Sequence, residues 1–353
     1  MRFKPRVPDY KLRNPRGVAL IMVLWIITIL TVVVLEFSFA MRTEVNIAKN
    51  FKEEVELYAI AQGGVQQAIA ELILNNDPRV QQLRKTMKTD DVSLEKKAWV
   101  PDGRPYTLQF DRGECEIRIM SEAGKININT ISEMSLRKLI GNLGLEVEKR
   151  DVVVDSILDW RDPDDFVRIN GAENDYYQSL KEPYRCKNAN LDSIEELLLV
   201  RGVTPDLFYG KKGTKAGEGE AKASDIGLKD TFSVYAIGEQ VDINSASLPV
   251  LRGVLGLPSE VAKAIAKARE EKGFQHQQDL LLRVPELSPF MAEIAGRLVF
   301  SSTLAPLTSI YYTIESRGKR KEGGAVRGLK TIVKIDRTDR KGYKIIQWVD
   351  ALQ

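Results

Sequence analysis

The sequence predicts an α+β fold. A single N-terminal transmembrane helix continues as a long amphipathic helix, joins an antiparallel sheet, and the sheet carries a large all-helical insertion. Three observations predict this. Val18–Leu35 is an unbroken apolar run. Strand-period alternation occurs early, from Tyr106, and again late, from Ile310. Between them lies an internal repeat, Ile126–Ser132 with Val241–Ser247.

The apolar run VALIMVLWIITILTVVVL holds no charge, Pro or Gly, and its only polar side chains are Thr28 and Thr31. As a helix it rises about 27 Å, close to the ~30 Å hydrocarbon core of a bilayer. Its apolar face extends past Glu36 through Phe37 and Phe39 to Met41. Arg2, Lys4, Arg6, Lys11, Arg13 and Arg16 precede it, opposed only by Asp9. That flank belongs in the cytoplasm, with the bulk of the chain across the membrane. After Arg42, apolar residues recur at Val45, Ala48, Phe51, Val55, Tyr58, Val65, Ile69 and Leu72, spaced mostly by three and four. One helix from about Val18 to Leu74, on the order of 85 Å, is expected. Gly63-Gly64 is a weak point within it and Pro78 closes it. A plain signal anchor fits the hydropathy equally. A cleaved secretory signal ending at Ser38-Phe39-Ala40 fits less, because the apolar core exceeds the usual ~7–15 residues.

A short basic leader, Gly17, and a helix half apolar and half amphipathic resemble the type IV pilin and type II secretion pseudopilin superfamily. The resemblance implies cleavage between Gly17 and Val18 by a prepilin peptidase, leaving Val18 as an N-methylated first residue. It also implies Glu at the fifth mature position, where this chain has Met22. In the superfamily that Glu neutralises the amine of the subunit ahead. An apolar residue there implies a subunit with none ahead, at the filament tip. This departure points to the minor pseudopilin family called type II secretion system protein K.

At 353 residues the chain has room for an anchor and two soluble domains. Its formal charge of +3 misleads: without the leader's six cations and one anion, 46 basic and 48 acidic residues remain. That net −2 argues against general nucleic-acid binding. Two cysteines, Cys115 and Cys186, fit either one disulfide in an oxidising compartment or two separate buried thiols. The single His, His276, lies in a polar run and reads as solvated, so a Ser-His-Asp triad or a His-rich zinc site lacks material.

Asp77–Pro101 reads as a polar connector. Tyr106, Leu108 and Phe110 then face one way, Asp111-Arg112-Gly113 turns, and Cys115, Ile117 and Ile119 face together, followed by Ile126 and Ile128. This predicts an antiparallel hairpin. In the repeat, Leu136, Arg137 and Gly141 match Leu251, Arg252 and Gly256, and Glu196–Leu199 matches Asp279–Leu282. Asn129-Thr130 and Asn244-Ser245 are natural N-caps. Two helical modules over 126–210 and 241–300 are expected, joined through a flexible linker over 211–230.

The second module suggests a competing function. Gly256–Ile265 resembles the helix-hairpin-helix of DNA-binding proteins, membrane-anchored competence receptors among them. Pro258 replaces that hairpin's second glycine and has no N–H for a phosphate. Glu260, Glu270 and Glu271 partly balance Lys263, Lys267 and Arg269. The first module carries an acidic insertion, with Asp159, Asp162, Asp164, Asp165, Glu173 and Asp175 beside Asn170 and Asn174. Hard cations such as calcium take six to eight oxygens, but the spacing is not that of an EF-hand. A solvated acidic loop is the alternative. Trp160, Tyr176 and Tyr177 favour an ordered loop. The strings SILDWRDPDD, NGAENDYY and LLLVRGVTP again resemble protein K, in which such a helical insertion interrupts the pilin sheet and members bind calcium. That resemblance implies calcium here, with Asp162, Asp164, Asp165, Glu173 and Asp175 as the favoured ligands.

Strands at Ile310–Glu315, Gly328–Ile335 and Tyr343–Val349 complete the sheet. The chain therefore divides into a leader over 1–17, a transmembrane helix over 18–41 and a pilin-like segment over 42–125. A helical insertion over 126–300 and final strands over 301–353 follow. The resemblance implies a non-enzymatic tip subunit of the pseudopilus. It would be single-pass in the inner membrane with its head in the periplasm. Its neighbours would be the minor pseudopilins I and J, then H and the major pseudopilin G. A membrane-anchored DNA receptor or uptake pilin is the alternative, and an exported hydrolase a third reading that lacks a catalytic set.

Overall fold

A computed structural model describes residues 16–77, 79, 80, 82, 99–210, 226–300, 311–321, 325–336 and 338–352. Most of the leader, most of the 77–101 connector and the 211–225 part of the linker lie outside the described residues. The chain forms two compact units, one up to Glu56 and one from Leu57.

Helix α1 runs from Arg16 to Asn76. No Gly or Pro interrupts it from Val18 to Gln62. Within the first unit its large apolar side chains from Val18 to Val55 are exposed. An 18-residue window reaches a mean hydropathy of 3.1, and among the described residues this is the one helix long and apolar enough to cross a membrane. Thr28 and Thr31 donate their hydroxyls to Leu24 O and Ile27 O, each at 2.7 Å, so neither polar side chain needs water.

In the second unit the remainder of α1 lies on a five-stranded antiparallel sheet. Strands β1 (Asp102–Phe110), β2 (Gly113–Ser121), β7 (Tyr311–Arg320), β8 (Val326–Ile335) and β9 (Tyr343–Leu352) adjoin in that order. Ile60, Ala61, Val65, Ala68, Ile69 and Leu72, one stripe of α1, share a core with Cys115, Ile117, Ile119, Tyr312, Ile314, Leu329 and Val333. Strand β2 pairs directly with β7, with Ile119 opposite Ile314 and Ser121 opposite Tyr312. The chain thus leaves the sheet at Ser121 and re-enters beside its point of departure. Everything between is an insertion whose ends are already close.

That insertion has its own core. It holds β3 (Ile126–Asn127), α2 (Glu133–Asn142), α3 (Val147–Arg161), α4 (Asn174–Gln178), α5 (Pro205–Tyr209), α6 (Leu228–Thr231) and β4 (Phe232–Ser233). Then come β5 (Val241–Asp242), α7 (Leu248–Gly253), α8 (Ser259–Glu271), α9 (Gln277–Arg283), α10 (Met291–Ile294) and β6 (Leu298–Val299). Ile126 pairs in parallel with Phe232, and Val241 with Leu298. Ile126 therefore opens the insertion, where the repeat also starts it, and does not pair within the early hairpin whose alternation it continues.

The repeat is also visible in its bonds. Asn129 exchanges side-chain bonds with the backbone of Leu191, as Asn244 does with Phe274. Arg161 donates to Ile128 O and Ile131 O, and Arg269 to Ile243 O and Ala246 O. Each helix pair turns through a glycine in the left-handed region, Gly144 at φ 80° and Gly256 at φ 68°, where a Cβ would be strained.

The two cysteines are free. Cys115 lies in the sheet core with its Sγ 3.0 Å from Ser316 Oγ, and Cys186 lies in the core of the insertion. The disulfide alternative is corrected to two separate thiols, because two cores divide them.

Glu122 fastens the insertion to the sheet. It is 2% exposed, accepts from Thr313 Oγ1 at 2.6 Å and stands 3.5 Å from Lys125 Nζ. Burial alone would raise its carboxyl. The Lys125 charge, hydrogen bonds from Ser233 and Thr313, and the Lys330 charge outweigh burial and hold it below the usual value. A depressed carboxylate stabilises the fold above its unfolded pKa, and that contribution is lost as pH falls through the folded value. Glu122→Ala should cost about 1–3 kcal/mol in urea unfolding near pH 6, because it strands the buried Thr313 hydroxyl and a partly buried Lys125. Near pH 3 the difference from wild type should shrink. Equal unfolding midpoints near pH 6 would exclude this role.

Candidate metal centre

Helix α3 buries Val153, Val154, Ile157, Leu158 and Trp160 and ends before Asp162-Pro163. The acidic segment that follows has no counterpart in the second module, which passes directly from Arg269 to Phe274. Aromatic contacts pin it. Trp160 meets Tyr177 edge-on at 5.1 Å and Tyr184 at 6.3 Å, and Arg201 stacks over Tyr176 at 4.8 Å. Tyr177 Oη accepts from Arg201 N at 3.2 Å.

Most of the acids have internal partners. Asp155 accepts from Arg137, Asn170 N and Asn170 Nδ2. Arg168 Nη1 turns inward to Asp159 Oδ1 at 2.6 Å and Asp162 Oδ2 at 2.5 Å. Asp159 is fully buried, and burial raises its carboxyl although Arg168 pulls the other way. Asp165 Oδ1 accepts from Asn174 Nδ2 at 3.0 Å and from Asn188 Nδ2 at 2.8 Å. Asn188 adopts φ 47°, a left-handed conformation that Asn tolerates better than most residues.

Around the acidic loop, Asp162 Oδ1, Asn188 Oδ1 and both oxygens of Glu173 are buried without an N–H or O–H donor, the Cys186 thiol alone lying beside Glu173. Glu173 is 6% exposed. Burial, then the charges of Asp159, Asp162 and Asp165, push its carboxyl up to about 7, and the Cys186 thiol offsets part of this. Buried acceptors left unpaired are costly, and a cation would satisfy these oxygens together. The oxygen chemistry suits a hard ion such as calcium, with an amide carbonyl among the ligands. Among the described residues, no three His, Cys, Asp or Glu side chains converge as a ready metal cluster, so the fit relies on Asn188 as well as carboxylates.

Of the residues predicted from sequence, Glu173, Asp162 and Asp165 are brought into mutual electrostatic reach. Asp164, Asp165 and Asp175 are all exposed, Asp165 while bonded to Asn174 and Asn188, and Asp164 Oδ1 caps the N–H of Phe166 at 2.9 Å. Sequence reasoning missed Asn188, which only the folding back of the 184–191 segment delivers, and the inward turn of Arg168.

The second module's hairpin is less suited to a ligand. Leu255 N donates to Val250 O and Leu257 N to Leu251 O, so these hairpin amides are used internally. Pro258 has no amide hydrogen and Lys263 pairs with Glu260 at 3.0 Å.

Comparison with known proteins gives two family matches. The model described as type II secretion system (T2SS), protein K matches residues 119–209, and a helix-hairpin-helix motif matches residues 237–298. The type II secretion system protein K of Pseudomonas aeruginosa is 25% identical over 285 residues, covering 78% of each chain. That of Pectobacterium carotovorum subsp. carotovorum is 27% identical over 213 residues, covering 55% of this chain and 60% of the relative. In fold, the chain is similar to one in the crystal structure of the GspK-GspI-GspJ complex from the enterotoxigenic Escherichia coli type 2 secretion system. The TM-score is 0.50 at 15% identity, over 83% of this chain and 97% of that one.

Proposed function

We infer that this chain belongs to the protein K family of the type II secretion system and serves as a minor pseudopilin. The observation that carries this is the family match over residues 119–209, which spans the exit from the sheet, the first module and the acidic loop. The chain anchors through α1, with the basic leader in the cytoplasm and the head in the periplasm, as the charge asymmetry around Val18–Leu35 favours. A prepilin peptidase cuts between Gly17 and Val18, and the new amine is methylated. Met22 in place of an acid supports a position at the tip, where the subunit would initiate or cap the filament. Its neighbours are the other minor pseudopilins, I and J first. Calcium, when bound, supplies positive charge to the acidic loop, and Glu173, Asp162, Asp165 and Asn188 would hold it. The role is structural. A DNA-binding role draws on the helix-hairpin-helix match alone, and the internally bonded amides and Pro258 disfavour it.

Gly17→Leu should abolish processing, leaving a form heavier by the leader mass in membranes and no assembled tip. Mass spectrometry of the wild-type N-terminus should begin at methylated Val18. A wild-type terminus at Met1 or Met41 would overturn the pseudopilin reading, and shifted DNA at physiological salt would promote the alternative.

A further inference from the structure

The stretch from Asp164 to Asn170 is turned inside out. Its cation, Arg168, is drawn inward by Asp159 and Asp162, while its apolar side chains point to solvent. Phe166 is 85% exposed, Val167 61% and Ile169 100%. Burial selects the opposite arrangement, and a lone exposed apolar residue would need no explanation. Here three large ones fall within four positions. The segment is also held in place. Asp164 Oδ1 caps Phe166 N, Arg168 N donates to Asp159, Asn170 N donates to Asp155, and Asn188 ties down Asp164 O at 2.9 Å. A patch displayed by polar anchors is preorganised, so binding through it costs little ordering entropy.

We propose that Phe166, Val167 and Ile169 are the contact face for a protein partner whose matching surface is an apolar cleft edged with Lys or Arg. The rim decides the class of partner. Asp164 precedes the apolar residues on the same loop and is exposed, and Asp175 is exposed in the first turn of α4. Anionic lipid headgroups would be repelled by that rim, whereas a cationic edge on a protein complements it. An aromatic and two β-branched side chains are suited to fill a cleft and carry most of the binding energy.

The test uses the full chain in detergent micelles with calcium present, as bait for a phage-displayed random peptide library. Peptides rich in aromatic or aliphatic residues beside Lys or Arg should be enriched. The Phe166→Ser, Ile169→Ser double variant should bind them at least about tenfold more weakly, with an unchanged melting temperature because both positions are exposed. Phe166→Leu with Ile169→Val should restore binding. Added salt should weaken it, as expected for an exposed charged rim. Equal binding by wild type and the serine variant would overturn the proposal. So would enrichment of acidic peptides or of none. Loop-dependent binding to vesicles of phosphatidylethanolamine and phosphatidylglycerol, with no peptide enrichment, would overturn it in favour of a lipid surface.

Discussion

Chelation should lower the melting temperature of the full chain in detergent by roughly 5–10 °C, and calcium should restore it more fully than magnesium. The donor-free oxygens of Glu173, Asp162 and Asn188 motivate this. A ligand that binds only the folded head adds RT ln(1 + [L]/Kd), about 2.7 kcal/mol at a hundredfold excess over Kd. For a domain of this size each kcal/mol shifts melting by about 2–4 °C. Magnesium retains its waters and demands a tighter octahedron, so it substitutes poorly. Glu173→Gln should erase most of the difference between chelator and calcium while leaving the fold intact. The chelated protein should also become less stable as pH rises. Glu173 is raised to about 7, so the folded state holds a proton that the unfolded state releases near 4.5. Its contribution is therefore fully present below about 4.5 and is lost as pH climbs through about 7. Glu173→Gln should flatten that slope. Identical melting in chelator and in millimolar calcium would reduce the loop to a solvated acidic surface.

The second large effect is expected at Gly64, where α1 crosses the sheet. A Cβ built there would overlap Cys115 Sγ and fall 2.5 Å from Ser316 Oγ and 2.9 Å from Ile117 Cγ1. These neighbours cannot all yield, since Ser316 Oγ donates to Ala61 O at 2.7 Å and Ile117 is fully buried. Gly64→Leu should cost more than about 4 kcal/mol, enough to leave the head sensitive to protease at ambient temperature. Gly64→Ala should cost less, and Cys115→Ala should recover part of that loss, because the two side chains compete for one space. Gly63 is the internal comparison. Its Cβ would meet only the Phe110 ring, at 3.2 Å, so Gly63→Ala should be far milder. If Gly64→Leu unfolds at the wild-type urea concentration, the helix does not approach the sheet so closely.

Several elements follow from local pattern. An apolar run without charge, Gly or Pro has one stable form as a helix, and α1 covers it. Alternation at Tyr106–Ile119 predicts a hairpin, and β1 and β2 pair with Ile117 opposite Tyr106. The late strands appear as β7, β8 and β9, longer than their apolar cores because backbone pairing continues past the alternating side chains. The repeat is legible because each module needs the same Asn at the same turn.

Other features required the folded chain. Periodicity cannot tell that Ile126 leaves the sheet, since a two-residue ladder with Phe232 depends on a segment far along the chain. Spacing also left the cysteines open, and two cores then separated them. The acidic loop is the sharpest case. Its carboxylates could be counted in the sequence, but which of them find internal partners was decided by Arg168, Asn174 and Asn188 folding against them. Hydropathy and periodicity alone thus determined a long apolar helix, a split sheet and an acidic helical insertion, because they act between near neighbours. Tertiary structure alone decided which oxygens are left without donors and which apolar side chains are left in water. Both depend on contacts between segments that the sequence keeps apart.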